Sequence, residues 1–335
     1  MQRALVVFAS LVALAGCDAG ESEVEAPAER DAATTEEGEC APTRVPETTG
    51  TFRVGGFANL IAYGEGGAWT LTEEPTALGG EGPALLTLRR IDPRDAAVEP
   101  VLRVRGRGDA RLAAGAGAVW VADPAAGTLT RVDLASHERV VARPFGRSGE
   151  PTAIALENDR AWVIANDRGE LAAVDARTGR VLERLEVSAS GLADVEAAFG
   201  SVWVATAEAG SVVRIDPRSR RVVAQIPVGF ANDLAADDSA LWVDLGDEDA
   251  VRRVDPVTNE PARPHRHGGA FAIAAGLGSV WATNYPRPIV TRIDPSTGRV
   301  TARVRVGRDP KGLAIGAGSV WVVNAGDCSV TRIVP

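Results

Sequence analysis

Seven tryptophans punctuate the chain, and the segments around them are copies of one unit. They are Trp69, Trp120, Trp162, Trp203, Trp242, Trp281 and Trp321, so the intervals run 51, 42, 41, 39, 39 and 40 residues. The fullest copy reads Gly316-Ala317-Gly318-Ser319-Val320-Trp321-Val322-Val323, followed by Ser329-Val330-Thr331-Arg332-Ile333. Segments 276–281 with 290–294, and 200–204 with 213–216, repeat it closely. Five copies place an Asp 13 residues after the Trp: Asp133, Asp175, Asp216, Asp255 and Asp294. In the first copy an insertion over 73–83 lengthens that interval to 23, ending at Asp92. A period near 40 with strand-type patterning is the mark of a propeller or array, because one such unit cannot bury its apolar face alone.

Each unit reads as four short strands. Ile61, Leu112, Ile154, Val195, Leu234, Ile273 and Leu313 mark the first, about eight residues before each Trp. A glycine turn leads into the Trp strand, and a polar loop leads into a third strand such as Val213-Arg214-Ile215. The next turn carries the repeated Asp, often with Pro after it, as in Asp216-Pro217 and Asp294-Pro295. Asp and Pro at those positions suit a type I turn in which the carboxylate accepts backbone N–H groups beyond it, a structural role. The fourth strand alternates, as over 300–307, with the period of two that a half-exposed strand requires. The last copy stops at Pro335 without a fourth strand, while 51–55 (Thr-Phe-Arg-Val-Gly) matches 303–307. The expected fold is all-β: a seven-bladed propeller of four-stranded blades over 51–335, closed by an N-terminal strand that completes the last blade. The tryptophans are expected to pack between blades.

The first residues describe export. Met1-Gln2-Arg3 precedes an apolar run and then Leu14-Ala15-Gly16-Cys17, a pattern similar to a bacterial lipobox. The expected organisation is a signal peptide over 1–16, a lipidated Cys17 opening an acidic disordered tether over 17–50, and the propeller beyond. Ten acids against two arginines give 18–50 a net charge of −8, nearly all of the chain's −9. Such a segment lacks the apolar residues to offset its ordering entropy and extends by self-repulsion. The expected location is the cell envelope, lipid-anchored and facing the periplasm or the exterior. With no basic stripe, nucleic acid is excluded as a partner. The partners expected are the membrane, through the lipid, and an unidentified small ligand or envelope protein; a monomer is expected. Cys40 and Cys328 remain as a disulfide pair or as two free thiols.

The repeated Gly-x-Gly-Ser-Val-Trp-Val, Val-x-Arg-Ile-Asp-Pro-x-Thr-Gly-x-Val and Val306-Gly-x-x-Pro310 motifs resemble bacterial propellers of the YVTN/YncE-like kind. They are also similar to the streptogramin (virginiamycin B) lyase group. The resemblance implies the propeller architecture over 51–335. For the lyases it implies a histidine with acidic, metal-assisted chemistry near one channel mouth, but no full set of those residues aligns.

In such a ring, the loops from fourth to first strands and from second to third strands share one face. They bring Phe57, Asn59, Asp109, Arg111, Asp194, Phe230, Asn232, Phe271, Asn284, Tyr285, Arg287, Arg308 and Lys311 together as a candidate ligand-binding face. Aromatics mixed with polar groups at a concave mouth suit a small-ligand or peptide site. His265 and His267, two apart on an expected strand, are the candidates for acid–base or metal work. No metal or cofactor is expected, since no third ligand can be named. The reading is of a non-catalytic binding module; a lyase-like enzyme with a histidine general acid/base and an envelope assembly scaffold are the alternatives.

Overall fold

A computed structural model describes residues 47–73, 84–106, 110–187 and 191–335. These residues form seven four-stranded sheets and no sheet of any other size. The expected signal peptide, lipidated Cys17, most of the tether, Cys40, Asp109 and most of the first-copy insertion lie outside them. Among the described residues no helix is long and apolar enough to cross a membrane.

Blades 1 to 6 span 57–106, 111–142, 151–186, 192–227, 231–266 and 273–305, each a meander whose strands pair in chain order. Blade 7 takes three strands from 310–334 and its fourth from Glu47–Arg53, with Thr51 opposite Thr331, Phe52 opposite Val330 and Arg53 opposite Ser329. The borrowed strand starts four residues earlier than the expected domain boundary at 51. Its seam is tied by a Thr51–Thr331 hydroxyl hydrogen bond of 2.8 Å and by the Val54 N–H donating to the Cys328 carbonyl. The Phe52 ring meets Trp321 edge-on at 6.4 Å. Cys328 is disulfide-bonded; Cys40 lies outside the described residues.

The sequence explains how the blades stack. Each of seven apolar clusters holds one tryptophan and lies between consecutive blades, the Trp321 cluster joining blade 7 to blade 1. The Trp strands are buried throughout apart from Glu73 and Arg160 at strand ends, since a neighbouring blade covers each face, whereas the outer strand Val181–Glu186 alternates. Within a blade, Trp203 lies opposite Arg214 of the third strand, whose guanidinium stands 4.7 Å from the ring centre. That guanidinium also donates to the Ser201 hydroxyl, and to Pro256 O and Asn259 Oδ1 in the next blade's Asp-Pro turn. Arg292 over Trp281 and Arg332 over Trp321 bond to Ser279 and Ser319 in the same way. The recurring Ser, Trp and Arg are therefore scaffold.

Two glycine roles let the ring close. Ala317-Gly318 forms a two-residue hairpin with both φ angles positive (48° and 67°), as a type I′ turn needs. Gly316 lets the inner strand of blade 7 approach blade 1, because a Cβ there would fall 1.9 Å from the Tyr63 ring.

Candidate functional site

The first strand of each blade is innermost, and its beginning faces one mouth of the central channel. Counting back from each Trp shows what the ring brings level. Nine residues before the seven tryptophans stand Leu60, Arg111, Ala153, Asp194, Asp233, Ala272 and Gly312. Seven residues before them, directly across the strand pair from the indole, stand six alanines and Glu196. At these levels the ring carries small and apolar residues except for Arg111 in blade 2 and the carboxylates that crowd together in blades 4 and 5.

Asp194 Oδ2 accepts from the Leu234 N–H at 2.9 Å, and Asp233 Oδ2 from the Ile273 N–H at 2.8 Å. Each carboxyl thereby satisfies an inner-edge backbone donor of the following blade. Both keep some surface on the channel, yet protein crowds the carboxyl groups themselves. Burial raises the pKa of Asp194 well above the usual carboxylate range, and the charge of Asp233 beside it raises it further. Burial also raises that of Asp233, opposed by the Ile273 N–H, by Asp194 and by the positive charge of Arg111. Two carboxyls in this contact favour a state in which the pair keeps one proton between them. Burial pushes Glu196 up to about 7, and Asp244, which faces Asp233 across the strand pair, to about 7 as well. Asn232 Nδ2 donates to Asp244 at 3.3 Å.

The two histidines part company. The fourth strand of blade 5 consists of His265–Arg266 only, so the period-two expectation does not extend to His267. His265 packs on Gly298 in the next blade's turn. His267 is 2% exposed, with Nε2 at 3.9 Å from Asp244 Oδ1, and burial lowers its pKa so that the ring is neutral. Among the described residues no three His, Cys, Asp or Glu side chains are grouped to hold a metal.

The other half of the mouth is built from blades 6, 7 and 1. Lys311 Nζ lies 5.9 Å from the Phe57 ring centre, 5.6 Å from that of Phe271 and 5.5 Å from that of Tyr285. The Phe271 and Tyr285 rings are tilted together at 5.6 Å. Burial depresses the Lys311 pKa, against the charge of Asp309. At Phe57 a cleft lined by Asn59, Leu60, Leu71, Leu86 and Ala110 holds only about 10 Å³. Phe271, Tyr285 and Phe230 are 47%, 45% and 41% exposed, the three exposed aromatic side chains among the described residues, and all sit on this face.

Of the remaining sequence candidates, Arg111, Arg287 and Arg308 are exposed on the same face. Asn284 does not belong with them. It is 4% exposed, its Nδ2 donates to Gly268 O and Gly269 O, and its Oδ1 accepts from Thr291, so it braces the loop. Sequence reasoning passes over Glu196, although its signal is present: one acid where every other copy has alanine.

No protein family model matches the chain, and no curated protein matches it significantly. Among solved structures it is similar to a streptogramin B lyase, at 15% identity and TM-score 0.69, covering 85% of this chain and 96% of the other. The virginiamycin B lyase of Staphylococcus aureus aligns at 13% identity and TM-score 0.69, over 85% and 98%. BamB of Moraxella catarrhalis aligns at 15% and TM-score 0.59, over 87% and 100%. The chain shares its propeller fold with these lyases and with BamB. At these identities the likeness is one of fold, and the resemblance to YVTN/YncE-like propellers rests on the repeat motifs of the sequence alone.

Proposed function

We propose that this protein is a cell-envelope propeller, tethered by a lipid on Cys17, that binds a small ligand or an envelope protein through one mouth of its ring without catalysing a reaction. One observation carries the binding role: every exposed aromatic side chain among the described residues lies on that mouth. Solvated aromatics gathered on a concave face are what a binding site needs and what a bare scaffold avoids. The lipobox-like Leu14-Ala15-Gly16-Cys17 and the acidic stretch after it support the tethered location.

The test is a thermal-shift screen of the full chain against small molecules and peptides from cell envelopes. Ligands are expected whose stabilisation disappears with Phe230→Ala, Phe271→Ala and Tyr285→Ala but survives Val257→Ala, a residue exposed in an Asp-Pro turn of the opposite face. Stabilisation that ignores the three aromatic changes defeats the reading.

A lyase-like enzyme is the second reading, favoured by a single feature: His267 beside Asp244 under the mouth. That reading requires turnover of a streptogramin-type lactone to vanish in a His267→Ala variant.

A further inference from the structure

Lys311 is the only lysine in the chain; the other 35 basic side chains are arginines. Many of those arginines have scaffold partners: Arg214, Arg292 and Arg332 cover tryptophans, and Arg131 and Arg160 reach carbonyls of neighbouring turns. Lys311 differs in having no carboxylate in ion-pair contact and no hydrogen-bond acceptor on its ammonium among the described residues, Asp309 acting on it only through its charge. Its contacts are the faces of three rings, which stabilise the charge but accept none of its three strong N–H donors in the way an oxygen does.

An ammonium half-withdrawn from water, with its donors unmatched, is completed by an anionic oxygen. The surfaces beside it decide the remainder of the ligand. Phe271 and Tyr285 present roughly half of their area to solvent, and the cleft at Phe57, about 10 Å³, is too small to take in a group. A ligand there must lie across the rings with its charge at Lys311.

We infer that Lys311, Phe57, Phe271 and Tyr285 form a receptor for a small organic carboxylate with an apolar or aromatic body. This rests on the reading that the mouth binds ligands, and names the chemistry of one sector of it.

The test uses three probes of one shape, 3-phenylpropionate, 3-phenylpropanamide and 3-phenylpropylamine, with affinities read by ligand-observed NMR on the full chain at pH 7. The carboxylate is expected to bind about tenfold or more tightly than the amide, the scale of one charge-assisted hydrogen bond. Lys311→Met, which keeps an apolar stem among the rings, is expected to remove that preference while leaving near-ultraviolet circular dichroism unchanged. Reductive methylation with ¹³C-formaldehyde marks this one side chain, the α-amino group aside, and its resonance is expected to move with the carboxylate and not with the amide. Equal affinity for carboxylate and amide, a preference that survives Lys311→Met, or no binding of the carboxylate overturns the inference. Preferential binding of the amine also overturns it while leaving the mouth a ligand site. If the probes fail but screened ligands are still lost on substituting the exposed aromatics, only this inference falls; if those ligands are indifferent to the substitutions, the broader reading falls with it.

Discussion

The two faces of the ring use the same side chains to opposite ends. On the face of the Asp-Pro turns, Asp133, Asp175, Asp216, Asp255 and Asp294 each accept hydrogen bonds from the backbone of their own turn, and their pKa values are lowered, to about 2 for Asp133 and Asp294. At the mouth Asp194, Asp233, Asp244 and Glu196 are raised by burial, and the charge of Asp233 raises the other three further. Arg131, Arg214, Arg292 and Arg332 toward the turn face are tied down by hydrogen bonds, whereas the lysine of the mouth is not. A charge satisfied by its own turn stabilises the fold; one held without a full complement of partners is available to something else.

The largest expected effect tests the scaffold side. Arg214→Ala removes the cover from Trp203 and frees Ser201 and Pro256 O, so it is expected to cost about 2–4 kcal/mol in urea unfolding. A loss under 0.5 kcal/mol would erase the contrast between tied and untied cations.

Next comes the alkaline limb of stability. Glu196 and Asp244 hold protons more tightly when folded, so their contribution is complete below the unfolded value near pH 4 and is lost as pH rises toward about 7. Glu196→Gln is therefore expected to stabilise the protein at pH 8 by about 1–3 kcal/mol and to change little at pH 4. Equal effects at the two pH values would contradict a buried, protonated Glu196.

The acid limb has the opposite sign. The turn aspartates release protons more readily when folded, so their contribution is complete above about pH 4 and fades as pH falls toward about 2. Asp294→Asn is expected to flatten that fall slightly in acid melts, and a steeper fall would count against it.

The smallest expected change in stability is at the mouth. Tyr285→Ala is expected to leave the melting temperature within the range of a surface substitution, about 0.5 kcal/mol, while weakening any ligand. A large destabilisation would make Tyr285 scaffold.

The turn aspartates and the mouth carboxylates also differ in how readily the sequence discloses them. Asp294 is legible because its partners are two and three residues away. The Asp194–Asp233 pair is separated by one whole repeat, and only the angle between adjacent blades brings the two carboxyls into contact. Phe57 and Lys311 stand 254 positions apart in the chain and meet because blade 7 closes on blade 1. Asn284, a ligand group by position, is consumed by the carbonyls of a loop that precedes it, and no spacing rule reveals that.

What the sequence by itself determined is the ring: the tryptophan period, the glycine turns and the missing final strand admit seven sheets closed by residues near the start of the described chain. These signals are local and repeated, so each copy reinforces the others. Only the tertiary structure decided which departures from the repeat matter. Glu196, Asp233 and Lys311 acquire their chemistry from residues on neighbouring blades, through burial and proximity that depend on how the sheets pack around one axis.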